Sequence, residues 1–315
     1  MNESEFGRQF RGKKVLVTGA SGFLGTNLVK QLLELGAQVL ATGRRRASHL
    51  EPAIHYATLD FVSPLKGLEA AQEFKPDFVI HLACPPDQEA SPESEHLFGQ
   101  WAAGSVDFLS AMSQVSSVKA FLVAGSVKEY GTGSAPFGPG QALMPVSAYG
   151  AAKASVSAFA SYFRQIRRLN TVVLRLATVY GPGQSQGGII DAACRALRQK
   201  SPLRMTAGEQ VREFLYIDDA ARAIVLALVC AEHPEAGALT LGGHKPVKLI
   251  DLVKCLMMLE GGGNLVQAGA LPYRASEVFD MRVDSSLFGK LTGWSPCVSI
   301  EEGLRRTWQW YCSHA

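Results

Sequence analysis

The stretch VTGASGFLG, residues 17–25, follows the apolar run Val15-Leu16-Val17 and leads into residues 26–33, where apolar side chains recur at helical spacing. Gly19, Gly22 and Gly25 occupy every third position. A strand, a glycine turn and a helix start together make a phosphate site. Glycine permits the tight turn and lets the backbone approach a pyrophosphate, and the helix N-terminus offers free N–H groups at the positive end of its dipole. A second strand, Gln38–Thr42, follows at the distance a dinucleotide-binding unit requires. The pattern predicts dinucleotide binding; the plainer alternative is an ordinary strand–helix turn.

The second strand ends Ala41-Thr42-Gly43-Arg44-Arg45. A carboxylate at that place would hold the adenosine 2′-hydroxyl of NAD(H), and none is present. Arg44 and Arg45 suit a 2′-phosphate instead. NADP(H) is therefore the favoured cofactor and NAD(H) the alternative; the structural alternative is a solvated arginine loop.

Composition narrows the class. The 315 residues are 47% hydrophobic and 19% charged, with a formal net charge of +3. This is ordinary for a soluble globular enzyme and too mild a charge to imply nucleic-acid or membrane partners. No apolar run has the length of a membrane span, and residues 1–11 lack the apolar core of a signal peptide. The six cysteines are scattered without a C-x-x-C pair, which predicts reduced, mostly buried thiols in a cytoplasmic protein. No H-E-x-x-H pattern occurs among the seven histidines, so no metal site is expected.

Candidate strands at 14–17, 38–42, 55–59, 77–82, 120–124 and 171–176 alternate with amphipathic segments such as 26–35 and 106–112. Alternation of this kind predicts an α/β fold, a doubly wound parallel Rossmann sheet with a smaller C-terminal substrate-binding lid. The expected division is a dinucleotide-binding domain over 1–177, with about 214–235 returning to it, and the lid mainly over 178–315. The Gly- and Pro-rich segment 131–140 reads as a functional loop rather than a linker.

Tyr149 and Lys153 stand four apart at the start of a helix, so phenol and ammonium share a face. A neighbouring cation lowers a phenol's pKa, which predicts Tyr149 as a general acid or base near neutral pH. Ser126 closes the strand 120–124 at the carboxyl edge, where ligands bind in such sheets. The plainer alternative for the Tyr–Lys pair is a surface contact.

Several motifs occur in order: the glycine turn, HLA at 81–83, Ser126 followed by EYG at 129–131, YGAAK at 149–153, VYGPGQ at 179–184, REFLYIDD at 212–219 and a closing segment at 291–311. Together they resemble the extended short-chain dehydrogenase/reductase family of nucleotide-sugar epimerases, dehydratases and reductases. The resemblance implies Ser126, Tyr149 and Lys153 as catalytic. It implies Gly19, Ser21, Gly22, Phe23, Leu24 and Gly25 at the pyrophosphate, with Tyr149 and Lys153 also reaching the cofactor. Asp60 and Phe61 match the adenine side, and Leu82 and Ala83 the strand end beside the cofactor. Thr178, Arg212 and Arg274 match positions that contact the diphosphate of a nucleotide-diphosphate sugar.

Departures from the family pattern are informative. The Asp-Glu pair that 4,6-dehydratases carry after the Ser/Thr is Val127-Lys128 here, which argues against dehydration. A family Asn is Trp101, which cannot repeat that residue's hydrogen bonds; another is Thr178; and the Pro-Gly-Asp after the lid arginine is Ala275-Ser276-Glu277. The favoured expectation is an NADPH-dependent reductase of a nucleotide-linked 4-keto sugar, with Tyr149 as proton donor. The alternative is an NAD(P)-dependent nucleotide-sugar epimerase; a non-catalytic dinucleotide sensor is a third class, and such chains usually lose the Tyr or the Lys. A homodimer is expected through helices at 106–112 and 151–163, with Val156, Phe159, Ala160 and Phe163 compatible with either a partner or the sheet.

Overall fold

Successive side chains leave a strand on opposite sides, and in the first strand both sides are apolar. Val15 and Val17 enter one buried cluster and Leu16 another, so the sheet carries a core on each face. The computed structural model describes residues 9–46, 54–62, 65, 67–87, 91–184 and 187–314. Residues 1–8 of the polar start and Ser185 and Gln186 of the later glycine-rich loop lie outside the described residues.

The first half alternates as the sequence predicts: β1 (Lys14–Thr18), α1 (Phe23–Glu34), β2 (Gln38–Gly43), β3 (His55–Thr58), α2 (Leu68–Phe74), β4 (Phe78–His81), α3 (Pro92–Met112), β5 (Ala120–Ser126), α4 (Ala148–Ile166) and β6 (Thr171–Leu176). The remainder contributes α5 (Gly188–Gln199), α6 (Ile217–Val229), β7 (Ala238–Leu241), α7 (Leu249–Met258), α8 (Ser286–Thr292) and α9 (Ile300–Ser313). The seven strands run in the order β7-β6-β5-β4-β1-β2-β3, all parallel. The winding reverses between β1 and β4, and ligands bind at the carboxyl ends beside such a switch point. One face is covered by α1 and α6 and the other by α2, α3 and α4.

Three boundaries differ from the sequence reading. α1 begins at Phe23, so Gly25 lies in its first turn. α3 begins far upstream of residue 106, at Pro92, with Ser91 accepting from the Ser94 N–H as its cap; its early turns are largely polar and hide the apolar stripe. The chain's return to the sheet continues past residue 235, because β7 pairs with β6 and α8 packs beside β7. Between these elements a separate core gathers α5, α7 and α9 around Cys194, Leu256 and Trp308. The 131–140 segment is pinned rather than loose: buried Phe137 stacks on Tyr130, and its N–H donates to the Arg282 carbonyl at 2.7 Å. The six cysteines are unpaired, but only Cys194 is fully buried, while Cys297 and Cys312 are exposed.

Gly25 supplies a direct test of the turn. A methyl group there would lie 2.2 Å from the Gly19 carbonyl oxygen, a backbone atom that cannot swing aside. Gly25→Ala is expected to destabilise the protein by about 1–3 kcal/mol, as overpacking does. Gly99→Ala is the control: on α3, with nothing within 4 Å of the added methyl, it should hold or raise the urea midpoint. Equal midpoints for the two variants would refute the close approach.

Candidate active site at the carboxyl edge of the sheet

The glycine turn rests on the end of β4. Gly19 has φ +69°, and a methyl there would sit 2.7 Å from the Ala83 nitrogen. Gly22 precedes α1 in extended conformation, with no capping side chain and no acid in the first turn. The first-turn N–H groups of Phe23 and Leu24 are thus left for a ligand. Ser21 Oγ donates to the Arg45 carbonyl at 2.8 Å, tying the turn to the segment after β2. Arg44 and Arg45 are exposed there. Asp60 accepts from the Val62 N–H at 3.1 Å, and Phe61 is buried edge-on against Phe108. The glycine cradle and uncapped helix start fit a dinucleotide diphosphate.

A closed hydrogen-bond circuit fixes the Ala83 peptide. The Ala83 N–H donates to Thr18 Oγ1 at 3.2 Å, and Thr18 Oγ1 lies 2.8 Å from His81 Nδ1. His81 Nε2 lies 3.0 Å from Ser105 Oγ, which donates to the Trp101 carbonyl at 2.8 Å. Trp101 Nε1 donates back to the Ala83 carbonyl at 2.7 Å. Ser105 spends its one proton on the Trp101 carbonyl, so Nε2–H gives to Ser105. Burial, helped by the Lys153 charge, drives the His81 pKa down to about 3, and in the neutral ring Nδ1 accepts from the Thr18 hydroxyl. Trp101 thus closes the circuit through its indole N–H, and its ring lies 4.9 Å from Lys153 Nζ.

The three predicted catalytic residues converge at the next strand end. Ser126 closes β5, and its Oγ accepts the Lys128 N–H at 3.2 Å, which leaves the hydroxyl proton free to donate. Tyr149 hydrogen-bonds with Ser126 through its side chain. Lys153, almost fully buried, donates to the Ala124 carbonyl at 2.7 Å and lies 5.7 Å from the Tyr149 ring centre. The expectation that the cation lowers the phenol's pKa is reversed here: burial pushes Tyr149 up, nearby Cys84 adds to that, and the Ser126 bond only partly offsets it. Lys128 pairs with Asp87 and lies 5.8 Å from the same ring.

Sequence reasoning missed the group behind Ser126. Glu129 is fully buried, accepts the Ser126 N–H at 2.8 Å and Ser157 Oγ at 2.8 Å, and meets Arg175 Nε at 2.7 Å. Arg175 also donates to Tyr130 Oη at 3.2 Å. A charged Glu directly before the tyrosine of EYG, with an arginine inside the apolar strand 171–176, was the available signal.

The expected diphosphate contacts are not gathered in this way. Arg212 pairs with Glu277, the residue at the departed Asp position, rather than with Asp218 or Asp219. Burial pulls its pKa down and Glu277 partly offsets this. Asp219 instead accepts the Cys297 and Val298 N–H groups, each at 3.0 Å. Thr178 is exposed beside Phe214, and Arg274 is exposed on the lid loop. Among the described residues no group of three or more His, Cys, Asp and Glu is arranged to hold a metal, and no helix is long and apolar enough to cross a membrane.

The family model described as the NAD dependent epimerase/dehydratase family matches residues 15–242, and the chain belongs to that family. A UDP-glucuronate 4-epimerase of Thermodesulfobacterium geofontis is 27% identical, over 94% of this chain and 95% of its own. A probable dTDP-glucose 4,6-dehydratase of Sinorhizobium fredii is 27% identical, over 95% and 92%. Among solved structures, a UDP-glucuronic acid 4-epimerase from Bacillus cereus, in complex with UDP-glucuronic acid and NAD, superposes with TM-score 0.86 at 23% identity, covering 96% of this chain and 100% of that one.

The His81 circuit has a pH signature. Its folded pKa lies below the ordinary 6.5, so the unfolded chain takes up the proton first as pH falls. The stabilisation is complete above about pH 6.5 and is lost progressively toward pH 3, at up to about 1.4 kcal/mol per pH unit. Urea unfolding of the parent and of His81→Gln between pH 7 and 4 should show the steeper loss in the parent. Parallel slopes would mean His81 is not held neutral.

Proposed function

We propose that this family member is a nucleotide-sugar epimerase that oxidises and re-reduces one sugar carbon at the Ser126–Tyr149–Lys153 site. One observation carries the reading: the two places after Ser126 offer no acid–base pair to work with Tyr149, since Val127 is buried and apolar and Lys128 is tied to Asp87. Elimination of water needs a further acid–base pair, whereas reversible hydride exchange at one carbon needs one. The 4-epimerases among the relatives support the same direction. When bound, the nicotinamide supplies the hydride acceptor and donor. Tyr149 exchanges the hydroxyl proton, Ser126 Oγ orients the sugar oxygen, and Lys153 holds a positive charge next to the phenol.

A second reading, reduction of a 4-keto sugar, is favoured by the segment after β2. The Bacillus cereus complex contains NAD, but here no carboxylate stands at the end of β2, and Arg44 and Arg45 are exposed. This supports NADP(H) for this chain, and a mostly reduced NADPH pool suits net reduction. The six free cysteines support a reducing compartment such as the cytoplasm. Arg212, Thr178 and Arg274 remain the proposed contacts of a nucleotide diphosphate, with Arg212 exchanging Glu277 for phosphate.

The two readings separate on stoichiometry. With UDP-, dTDP- and GDP-sugars, an epimerase reaches the same mixture from either epimer without net loss of NADPH. Stoichiometric NADPH oxidation with a 4-keto sugar would replace it with the reductase. Under either, Tyr149→Phe should lower turnover by roughly 10²- to 10⁴-fold with cofactor binding kept.

We also propose a homodimer, on a revised face. Val156, Ala160 and Phe163, which the sequence left open, are buried in the sheet core. The outer face of α4 instead exposes Phe159, Tyr162 and Ile166, at 46%, 46% and 63%, one helical stripe of a kind that marks an interface. Light scattering at micromolar concentration should give twice the chain mass, and Tyr162→Glu should halve it; a monomeric parent would remove the proposal.

A further inference from the structure

Tyr56, in β3, carries a hydroxyl that neither the fold nor the catalytic group uses. Its ring packs on the same core face as α1 and α6, which a phenylalanine would do equally well. The hydroxyl itself is buried and has no hydrogen-bond partner among the described residues. A buried, unsatisfied hydroxyl is destabilising, and native structures rarely retain one without a use.

Its position suggests the use. Tyr56 pairs in register with Ala41, so its side chain rises beside the end of β2. A methyl placed on Gly43 would lie 3.1 Å from Tyr56 Oη and 3.4 Å from Ser21 Oγ. The Arg46 guanidinium lies 5.8 Å from the Tyr56 ring centre. Three separate elements therefore meet at one point: the glycine turn through Ser21, the segment after β2 through Gly43–Arg46, and β3 through Tyr56. Two hydroxyls beside a run of three arginines suit a phosphate monoester, because hydrogen bonds to charged oxygens are the strong ones, with Ser21 exchanging the Arg45 carbonyl for the phosphate.

Resting on the dinucleotide reading above, we propose that Tyr56 is a specificity-determining residue whose hydroxyl, together with Ser21 and Arg44–Arg46, receives the phosphate on the adenosine 2′ carbon. The hydroxyl has no partner among the described residues, and the phosphorylated ribose supplies its acceptor. Tyr56→Phe should therefore act in opposite directions on stability and binding. Removing the orphan should leave the melting temperature of the free protein unchanged or raised, while the discrimination for 2′-phosphate is lost.

Titration calorimetry with two probes that differ only in the 2′-phosphate tests this without any turnover. Adenosine 2′,5′-bisphosphate should bind the parent more tightly than adenosine 5′-monophosphate. Tyr56→Phe should bind the monophosphate within about twofold of the parent and the bisphosphate roughly 10-fold more weakly, the scale of one hydrogen bond to a charged group. A variant that keeps the parent's discrimination overturns the role of Tyr56 and leaves the dinucleotide reading standing. A parent that does not discriminate overturns both Tyr56 and the NADP(H) preference, and a parent that binds neither probe overturns the dinucleotide site itself. A fall in the free protein's melting temperature in Tyr56→Phe would show that the hydroxyl has a structural partner, which also overturns the proposal.

Discussion

The neutral imidazole of His81 is the constraint on which the site depends. Both ring nitrogens are used, one accepting from Thr18 and the other donating to Ser105, and the chain closes on the two ends of the Ala83 peptide. A protonated ring would present two donors, and Thr18, already accepting from Ala83, would have to reverse. In a buried setting each mismatch leaves a polar group unpaired. The circuit thus fixes the end of β4, against which Gly19 lies so closely that no side chain fits. The position of the glycine turn, the start of α1 and the Trp101 ring beneath Lys153 follow from it.

A second buried group serves the neighbouring strand. Glu129 and Arg175 form an ion pair that water does not reach, and burying two charges is repaid only if their remaining hydrogen-bonding capacity is filled. Ser157, Tyr130 and the Ser126 N–H fill it. Such a pair adds little to stability over an apolar filling, but it permits few arrangements. Ser126 is consequently held by its backbone from behind while its hydroxyl faces Tyr149. The strand ends of β4 and β5 are each set by polar groups in the core beneath them; Ser126 stands on the second, and Tyr149 and Lys153 reach it from α4.

What the sequence made legible was periodic or local. Continuous apolar strands, glycine spacing and the four-residue step from Tyr149 to Lys153 each report geometry within a few residues, and the sheet and the catalytic cluster follow from them. The circuits also join residues as far as 63 and 65 positions apart, and only the fold brings these together. Trp101 illustrates the difference. As a substitution it looked like a lost hydrogen bond, yet its indole N–H reaches the Ala83 carbonyl, eighteen residues back along the chain. Arg212 illustrates the reverse: its charge was evident, but its partner lies in a loop 65 positions along the chain, and the loss of Pro-Gly-Asp concealed that Glu277 keeps the carboxylate.

The electrostatics of Tyr149 bear on the direction of the chemistry. Two ammonium groups lie within 6 Å of its ring, which alone would favour phenolate. Neither is free to act fully: Lys153 donates to the Ala124 carbonyl, and Lys128 is paired with Asp87. Burial then dominates, and the phenol stays protonated. The resting site is therefore loaded as a proton donor. Donating a proton to a sugar oxygen therefore asks for no change at this site, whereas abstracting one from a sugar hydroxyl requires the balance to move.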